Sequence, residues 1–200
     1  MVARRTFVVV GHETPTEPSF SLDDLPGAGR LDVLCRCVTA AFVLSHDIRT
    51  DVTLHLVVSG EYVVTFDGSE LRRLNPDERS TAALIRTALE ARDRAIGAMA
   101  AEPAPGVAIR KGGLETALEA AGDSESTPFV LQRNGDPVIE VDPPTHPVFV
   151  LSDHRSFTDD ERDLLAERTR SVSIGPRTVH GDDAITVVHN WLDTDGFSRY

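Results

Sequence analysis

The 200-residue sequence predicts one α/β domain with a mostly parallel sheet flanked by helices. Two features carry that prediction. Short apolar runs at residues 107–109, 129–131, 148–151 and 172–174 alternate with helical stretches at 113–121, 158–168 and 182–192. With 40% hydrophobic and 26% charged residues, the chain has a globular balance and the length to bury a core without disulfides. No linker divides it, and residues 102–106 (EPAPG) read as a helix-to-strand turn.

The first half is read in the same way. Residues 6–10 form an apolar run that ends at Gly11, a buried strand. Residues 12–29 are a long loop rich in Pro, Ser, Thr and Asp, and loops of that length in a compact domain are functional or disordered. A helix over 31–46 places Leu31, Leu34, Cys35, Val38, Ala41 and Phe42 on one face. Residues 52–58 and 62–66 are β-rich and join through Ser59-Gly60 as a hairpin. Asn75-Pro76-Asp77-Glu78 marks a helix start, with Asn75 as cap, Pro76 in the first turn and Glu78 closing a capping box. That helix runs to Met99, with Leu84, Ile85, Ala88, Leu89 and Ile96 facing inward.

Charge is the unusual property. The acids number 32 and the bases 20, for a net charge of −12. At face value this excludes nucleic acid and anionic membranes as partners, since both need local positive charge. The kind of base changes that reading. Lys111 is the single lysine and every other base is arginine. An acid-rich, nearly lysine-free surface suits a very salty cytoplasm, where screening removes self-repulsion. A GC-rich genome that favours Arg codons is the bland alternative. Under salt adaptation, net charge no longer indicates partners.

The acid excess is weighted to residues 95–200. The densest basic stretch holds Arg72, Arg73, Arg79, Arg86, Arg92 and Arg94, interleaved with acids. Its ordinary reading is a solvated helix face with ion pairs. No run approaches the ~20 apolar residues of a membrane span. Residues 1–5 lead straight into a strand, so no signal peptide is expected. Cys35 and Cys37 are too close for an easy disulfide and too isolated for a metal site. Reduced, partly buried thiols in a cytoplasmic protein are the expectation.

Open parallel sheets bind ligands at the carboxyl ends of their strands. Three strand ends fit that place: Leu131 into Gln132-Arg133-Asn134-Gly135, Leu151 into Ser152-Asp153-His154, and Ile174 into Gly175-Pro176-Arg177-Thr178. No GxGxxG or GxxxxGK[ST] is present, which disfavours a dinucleotide or NTP enzyme. Ser152, Asp153 and His154 are successive residues of an extended segment and point to different sides, so a catalytic triad is disfavoured. His180, Asp182, Asp183 and His189 suggest a metal only weakly. His189 falls on the packed face of a helix that Asp182 can cap. Residues 23–32 (DDLPGAGRLD) offer backbone N–H groups, a cation and a carboxylate where the long loop enters a helix.

These segments resemble a known family. Residues 7–12 (FVVVGH) and 20–34 (FSLDDLPGAGRLDVL) are similar to the archaeal tRNA (pseudouridine(54)-N(1))-methyltransferases of the SPOUT superfamily. So are 66–72 (FDGSELR), 74–80 (LNPDERS), 149–154 (FVLSDH), 173–176 (SIGP) and 184–193 (AITVVHNWLD). The resemblance implies a SPOUT-type sheet with a C-terminal trefoil knot that binds S-adenosylmethionine (SAM), in a homodimer with its active site near the interface. It implies one domain over 1–200, with an RNA-side half at 1–101 and a SAM-binding knot half at 106–200.

Carried over residue by residue, Leu131, Ser152, Ile174, Gly175, Pro176, Arg177, Thr178 and Val179 would wrap the cofactor, with Ala184 adjoining. Relatives have Gly at the place of Ser152 and Cys at that of Ala184, so a catalytic thiol is excluded here. The implied reaction is N1-methylation of pseudouridine 54 in the tRNA T-loop. Asp32 or Asp24 would act as base or base-orienting group, and Arg30 would stabilise negative charge on the uracil ring. Arg72, Arg73, Asn75 and Arg79 would hold tRNA phosphates or the splayed loop. Two alternatives stand beside this: a SPOUT enzyme acting on ribosomal RNA pseudouridine, with the same cofactor knot but a different RNA surface, and a non-catalytic RNA-binding or ribosome-assembly protein with a vestigial knot.

An acidic, nearly lysine-free RNA binder that neutralises few phosphates releases few counterions. Binding to tRNA should therefore persist at molar KCl, with a shallow slope of log affinity against log salt in filter-binding titrations. A steep loss at moderate salt, in protein that stays folded, would restore the first meaning of the −12.

Overall fold

The structure is a computed structural model that describes residues 4–72, 74–97, 99–122 and 127–199. Eight strands are β1 Arg5–Gly11, β2 Val52–Val58, β3 Tyr62–Asp67, β4 Ala101–Ala104, β5 Val107–Lys111, β6 Phe129–Pro137, β7 Val148–Ser152 and β8 Arg170–Ser173. Five α-helices are α1 Leu31–Phe42, α2 Glu78–Glu90, α3 Leu114–Ala121, α4 Asp159–Arg168 and α5 Gly181–Asp193.

Among the described residues the strands form one sheet in the order β4-β5-β3-β2-β1-β7-β6-β8. Strands β2, β1, β7, β6 and β8 run parallel; β3, β5 and β4 add an antiparallel edge. Strand β1 lies inside the sheet, and alternation along it sends Phe7 and Val9 to one face and Val8 and Val10 to the other. Helices α1, α2 and α5 cover the first face, and α3 and α4 the second. Burial on both faces is why the strand is apolar at successive positions.

Several boundaries differ from the sequence reading. Helix α1 stops at Phe42, not His46, because Val43 turns extended and bridges Ile48. The cap of α2 is Asp77, whose carboxylate accepts from the Ser80 N–H, and Asn75 instead donates to the Ser80 hydroxyl. The Asp77 carboxylate reaches the Ser80 N–H three residues on, the ordinary N-cap spacing, so it takes the capping bond. Helix α2 ends at Glu90, a 3₁₀ turn follows at Arg92–Arg94, and Ile96 is exposed. Residues 102–106 are not a helix-to-strand turn: β4 and β5 form a hairpin there. The hairpin at Ser59-Gly60 is present: three residues separate β2 from β3, and Ser59 and Gly60 both take positive φ in a turn closed by the Glu61 N–H donating to the Val58 carbonyl at 3.0 Å.

One buried polar cluster locks the last helix to the first strand. Arg5 lies beneath α5 and donates to Asp193 at 2.8 Å and to His189 Nδ1 at 3.1 Å. The His189 Nε2–H therefore donates to the Ala41 carbonyl on α1 at 3.1 Å. Burial, followed by the charges of Arg49 and Arg5, pushes the His189 pKa down to about 3, so the ring stays neutral. His189 is a packing residue, on the helix face the periodicity indicated.

Phe149 on β7 packs among Phe7, Phe129 and Trp191 and is fully buried. Phe149→Ala should cost about 3–5 kcal/mol, as for other large-to-small changes at closed aromatic sites. Urea denaturation at fixed salt reads this as a lowered midpoint.

Candidate functional site

The carboxyl ends of β7 and β8 and the turn within β6 at Leu131–Arg133 converge on one cleft of about 910 Å³. That volume is typical of a site for a cofactor-sized ligand. Leu131, Ser152, Ile174, Gly175, Arg177, Thr178, Val179 and Ala184 line it; Pro176 does not touch the opening. Val33, Leu151 and Phe157 extend the apolar lining. Arg30 reaches the same cleft from the other half of the chain.

Arg30 is placed by strain. It precedes α1 in the left-handed region, at φ 58° and ψ 37°, directly after Gly29 at φ 58°. A left-handed non-glycine residue costs about 1–2 kcal/mol. Any side chain at Gly29 would also strike the Glu13 carbonyl, so the turn needs glycine there. The conformation directs the guanidinium to Asp32: Arg30 Nε donates to Oδ1 at 3.0 Å and Nη2 to Oδ2 at 3.1 Å.

Asp32 is buried and also accepts from Arg36 Nη1 at 2.9 Å. Burial opposes its ionisation, but the hydrogen bonds from Arg30 and Arg36 outweigh that. Its carboxyl is held below the ordinary carboxylate value. An ionised group with two guanidinium partners orients cations better than it takes protons. Asp24 is exposed and accepts from the Gly27 N–H at 3.0 Å, shaping the turn before α1. Asp32 and Asp24 lie outside the cleft lining, whereas Asp153 and Asp183 lie within it.

The RNA-side residues gather less tightly. Arg79 pairs with Asp23 on the long loop, Arg92 with Glu17 at 2.7 Å, and Arg72 is exposed. Arg73 lies outside the described residues. The pairings tie this stretch to the long loop that precedes α1.

The sequence reading missed His12. Its backbone N–H and Nδ1 both meet the Asp153 carboxylate at 2.9 Å, and Nε2 meets Glu161 Oε2 at 2.9 Å. One imidazole thus joins the end of β1, the loop after β7 and the first turn of α4. Ser152 is no nucleophile of a triad: its hydroxyl donates to the Arg155 carbonyl, and Asp153 is taken by His12. Among the described residues no group of three His, Cys, Asp or Glu could hold a metal. His180, not Asp182, stands at the N-cap position of α5, without a side-chain capping bond. Cys35 and Cys37 are fully buried, and burial pushes both thiols up, so they are inert.

Comparison with known proteins places this geometry. Residues 4–197 match the SAM-dependent RNA methyltransferase family. A Haloferax volcanii protein named tRNA (pseudouridine(54)-N(1))-methyltransferase is 62% identical over 198 residues, covering 98% of this chain and 100% of the relative. A Methanococcoides burtonii protein of the same name is 39% identical, covering 94% of this chain and 96% of its own. Among solved structures, Archaeoglobus fulgidus Nep1 bound to S-adenosylhomocysteine superposes with a TM-score of 0.64 at 14% identity, over 96% of this chain and 98% of that one. That last likeness speaks to the fold.

Burial disfavours a charged His12, but hydrogen bonds to Glu161 and Asp153 prevail and raise its pKa. A raised folded pKa adds stability that is full below the unfolded pKa and fades as pH rises through the folded one. The stability gap between the wild type and His12→Gln should therefore be widest below pH ~6.5, the unfolded value, and narrow above it. Urea midpoints across pH 5.5–9 read this, and a gap that grows with pH would contradict it.

Proposed function

The chain belongs to the SAM-dependent RNA methyltransferase family, and we propose that it methylates N1 of pseudouridine 54 in the T-loop of tRNA. The carrying observation is the cleft: three strand-end loops and Arg30 of the tethered Arg30–Asp32 pair face one space of cofactor size. The lining suits SAM on chemical grounds. Leu131, Leu151, Ile174 and Val179 give an apolar bed for an adenosine, and the chain around Gly175 leaves room for close backbone approach. When bound, SAM supplies a methyl group made electrophilic by its sulfonium.

The chain's own residues align the acceptor and manage charge. Arg30 would donate to a uracil carbonyl oxygen, where negative charge grows as N1 loses its proton. Asp32 would fix the guanidinium plane, so that little reorganisation accompanies the reaction. The N1 proton is more acidic than an amine's, so a nearby cation lowers the demand on the base. Arg72, Arg73, Asn75 and Arg79 would hold tRNA phosphates.

The similarity to SPOUT proteins further supports a C-terminal trefoil knot around the cofactor loops and a homodimer in the cytoplasm. No helix among the described residues is long and apolar enough to cross a membrane.

Labelled SAM, with tRNA and ribosomal RNA as competing acceptors in molar KCl, tests the assignment. Nuclease digestion and mass spectrometry should place the label on pseudouridine 54 of tRNA. Label confined to ribosomal RNA would overturn it. Asp32→Ala should bind SAM and tRNA yet lose about 10²-fold in rate, since misplacing a positioning group costs that much. A normal rate would remove Asp32 from the chemistry.

A further inference from the structure

We propose that Arg36 is a positioning residue for methyl transfer, holding Asp32 against Arg30 and tying that pair to the first turn of α5; this rests on the methyltransferase reading above. Asp32 and Arg36 stand four residues apart on α1 and so share a face. Arg36 Nη1 donates to Asp32 Oδ2 at 2.9 Å and lies 3.5 Å from Glu78 Oε1 at the start of α2. Its Nε lies 3.5 Å from Asp182 Oδ2 in the first turn of α5. Carboxylates from three helices thus converge on one guanidinium.

The arrangement is asymmetric in a telling way. Asp182 Oδ1 is buried and has no hydrogen-bond partner, so among the described residues Arg36 is the only cation that faces this carboxylate. Without Arg36, three carboxylates repel across a short space and Asp32 keeps only the strained Arg30. Arg36 also lines a smaller cavity of about 320 Å³ with Glu78 and Asp182, and Asp183 lines both this cavity and the cofactor cleft. The guanidinium therefore sits behind the cleft wall, where the RNA-side half meets the cofactor half. It acts on the reacting base only through Asp32 and Arg30. A lysine supplies a point charge but not a fork able to reach Asp32 and Asp182 together.

Single-turnover methylation of tRNA and calorimetric titration with S-adenosylhomocysteine, on the full chain in molar KCl, separate this role from a structural one. Arg36→Gln should slow transfer about 10- to 100-fold while S-adenosylhomocysteine affinity changes by no more than about twofold. Arg36→Lys should recover part of the rate. The double variant Asp32→Asn/Arg36→Gln should be no slower than Asp32→Asn alone, because the second residue acts through the first. Additive losses, a normal rate for Arg36→Gln, or a rate loss matched by lost cofactor affinity would each overturn the proposal. Should Arg36→Gln not fold, Arg36→Lys decides: an intermediate rate with intact affinity supports the role, and a wild-type rate overturns it. A wild-type chain that binds S-adenosylhomocysteine but leaves tRNA unlabelled defeats the tRNA reading itself. Normal wild-type labelling with an unaffected Arg36→Gln defeats only the positioning role.

Discussion

A carboxylate taken out of water must be compensated, and Asp32 is compensated by Arg30 and Arg36. Much of the molecule is arranged around that need. Arg30 reaches Asp32 by accepting a left-handed backbone, and Gly29 makes the turn possible. Arg36 reaches it by helical spacing. The long loop must then fold back so that the Glu13 carbonyl lies against Gly29, and the Ser59 hydroxyl donates to the Thr14 carbonyl at 2.6 Å. The strain at Arg30 persists because its neighbours overdetermine it, which is the usual sign of a residue placed for function rather than stability.

The cleft shows how an acidic protein can handle an anionic partner. The net charge is −12, yet Arg30, Arg133, Arg155, Arg162 and Arg177 all line the opening. Several are held by carboxylates: Arg155 by Glu13, and Arg162 by Asp159. A guanidinium has five N–H donors, so an arginine held by one carboxylate still has donors left for a phosphate. Net charge therefore says little about the ligand, and the local arrangement says more.

Much of this was legible in the sequence. The apolar run of β1, the hairpin at Ser59-Gly60 and the final helix follow from local periodicity and turn chemistry. Three strand-end loops stood out because such sheets bind ligands there, Val179 and Ala184 were added by the family resemblance, and all but Pro176 of the expected residues line one cleft. The misses have a common cause. Strand β4 exists only through pairing with β5, and local propensity instead carried the helix on towards Met99. His12 gains meaning from Asp153 and Glu161, far along the chain, and a lone histidine after a strand carries no local mark of that. Arg36 is similar: its spacing from Asp32 is visible, whereas Asp182 is brought to it only by packing of α5 on α1. The cap of α2 was missed for a local reason, since Asn75 and Asp77 are both good caps two residues apart.

The central claim is that Arg30, set by Asp32, stabilises charge on the base receiving the methyl group. The most direct measurement is the single-turnover rate of methyl transfer to tRNA by Arg30→Lys, alongside its SAM affinity. Lysine keeps the charge but loses the two-pronged grip on Asp32. The expected result is an affinity near that of the wild type and a rate lower by about 10²–10³-fold, the usual loss when one preorganised donor is removed. An unchanged rate, with tRNA and SAM bound normally, would contradict it.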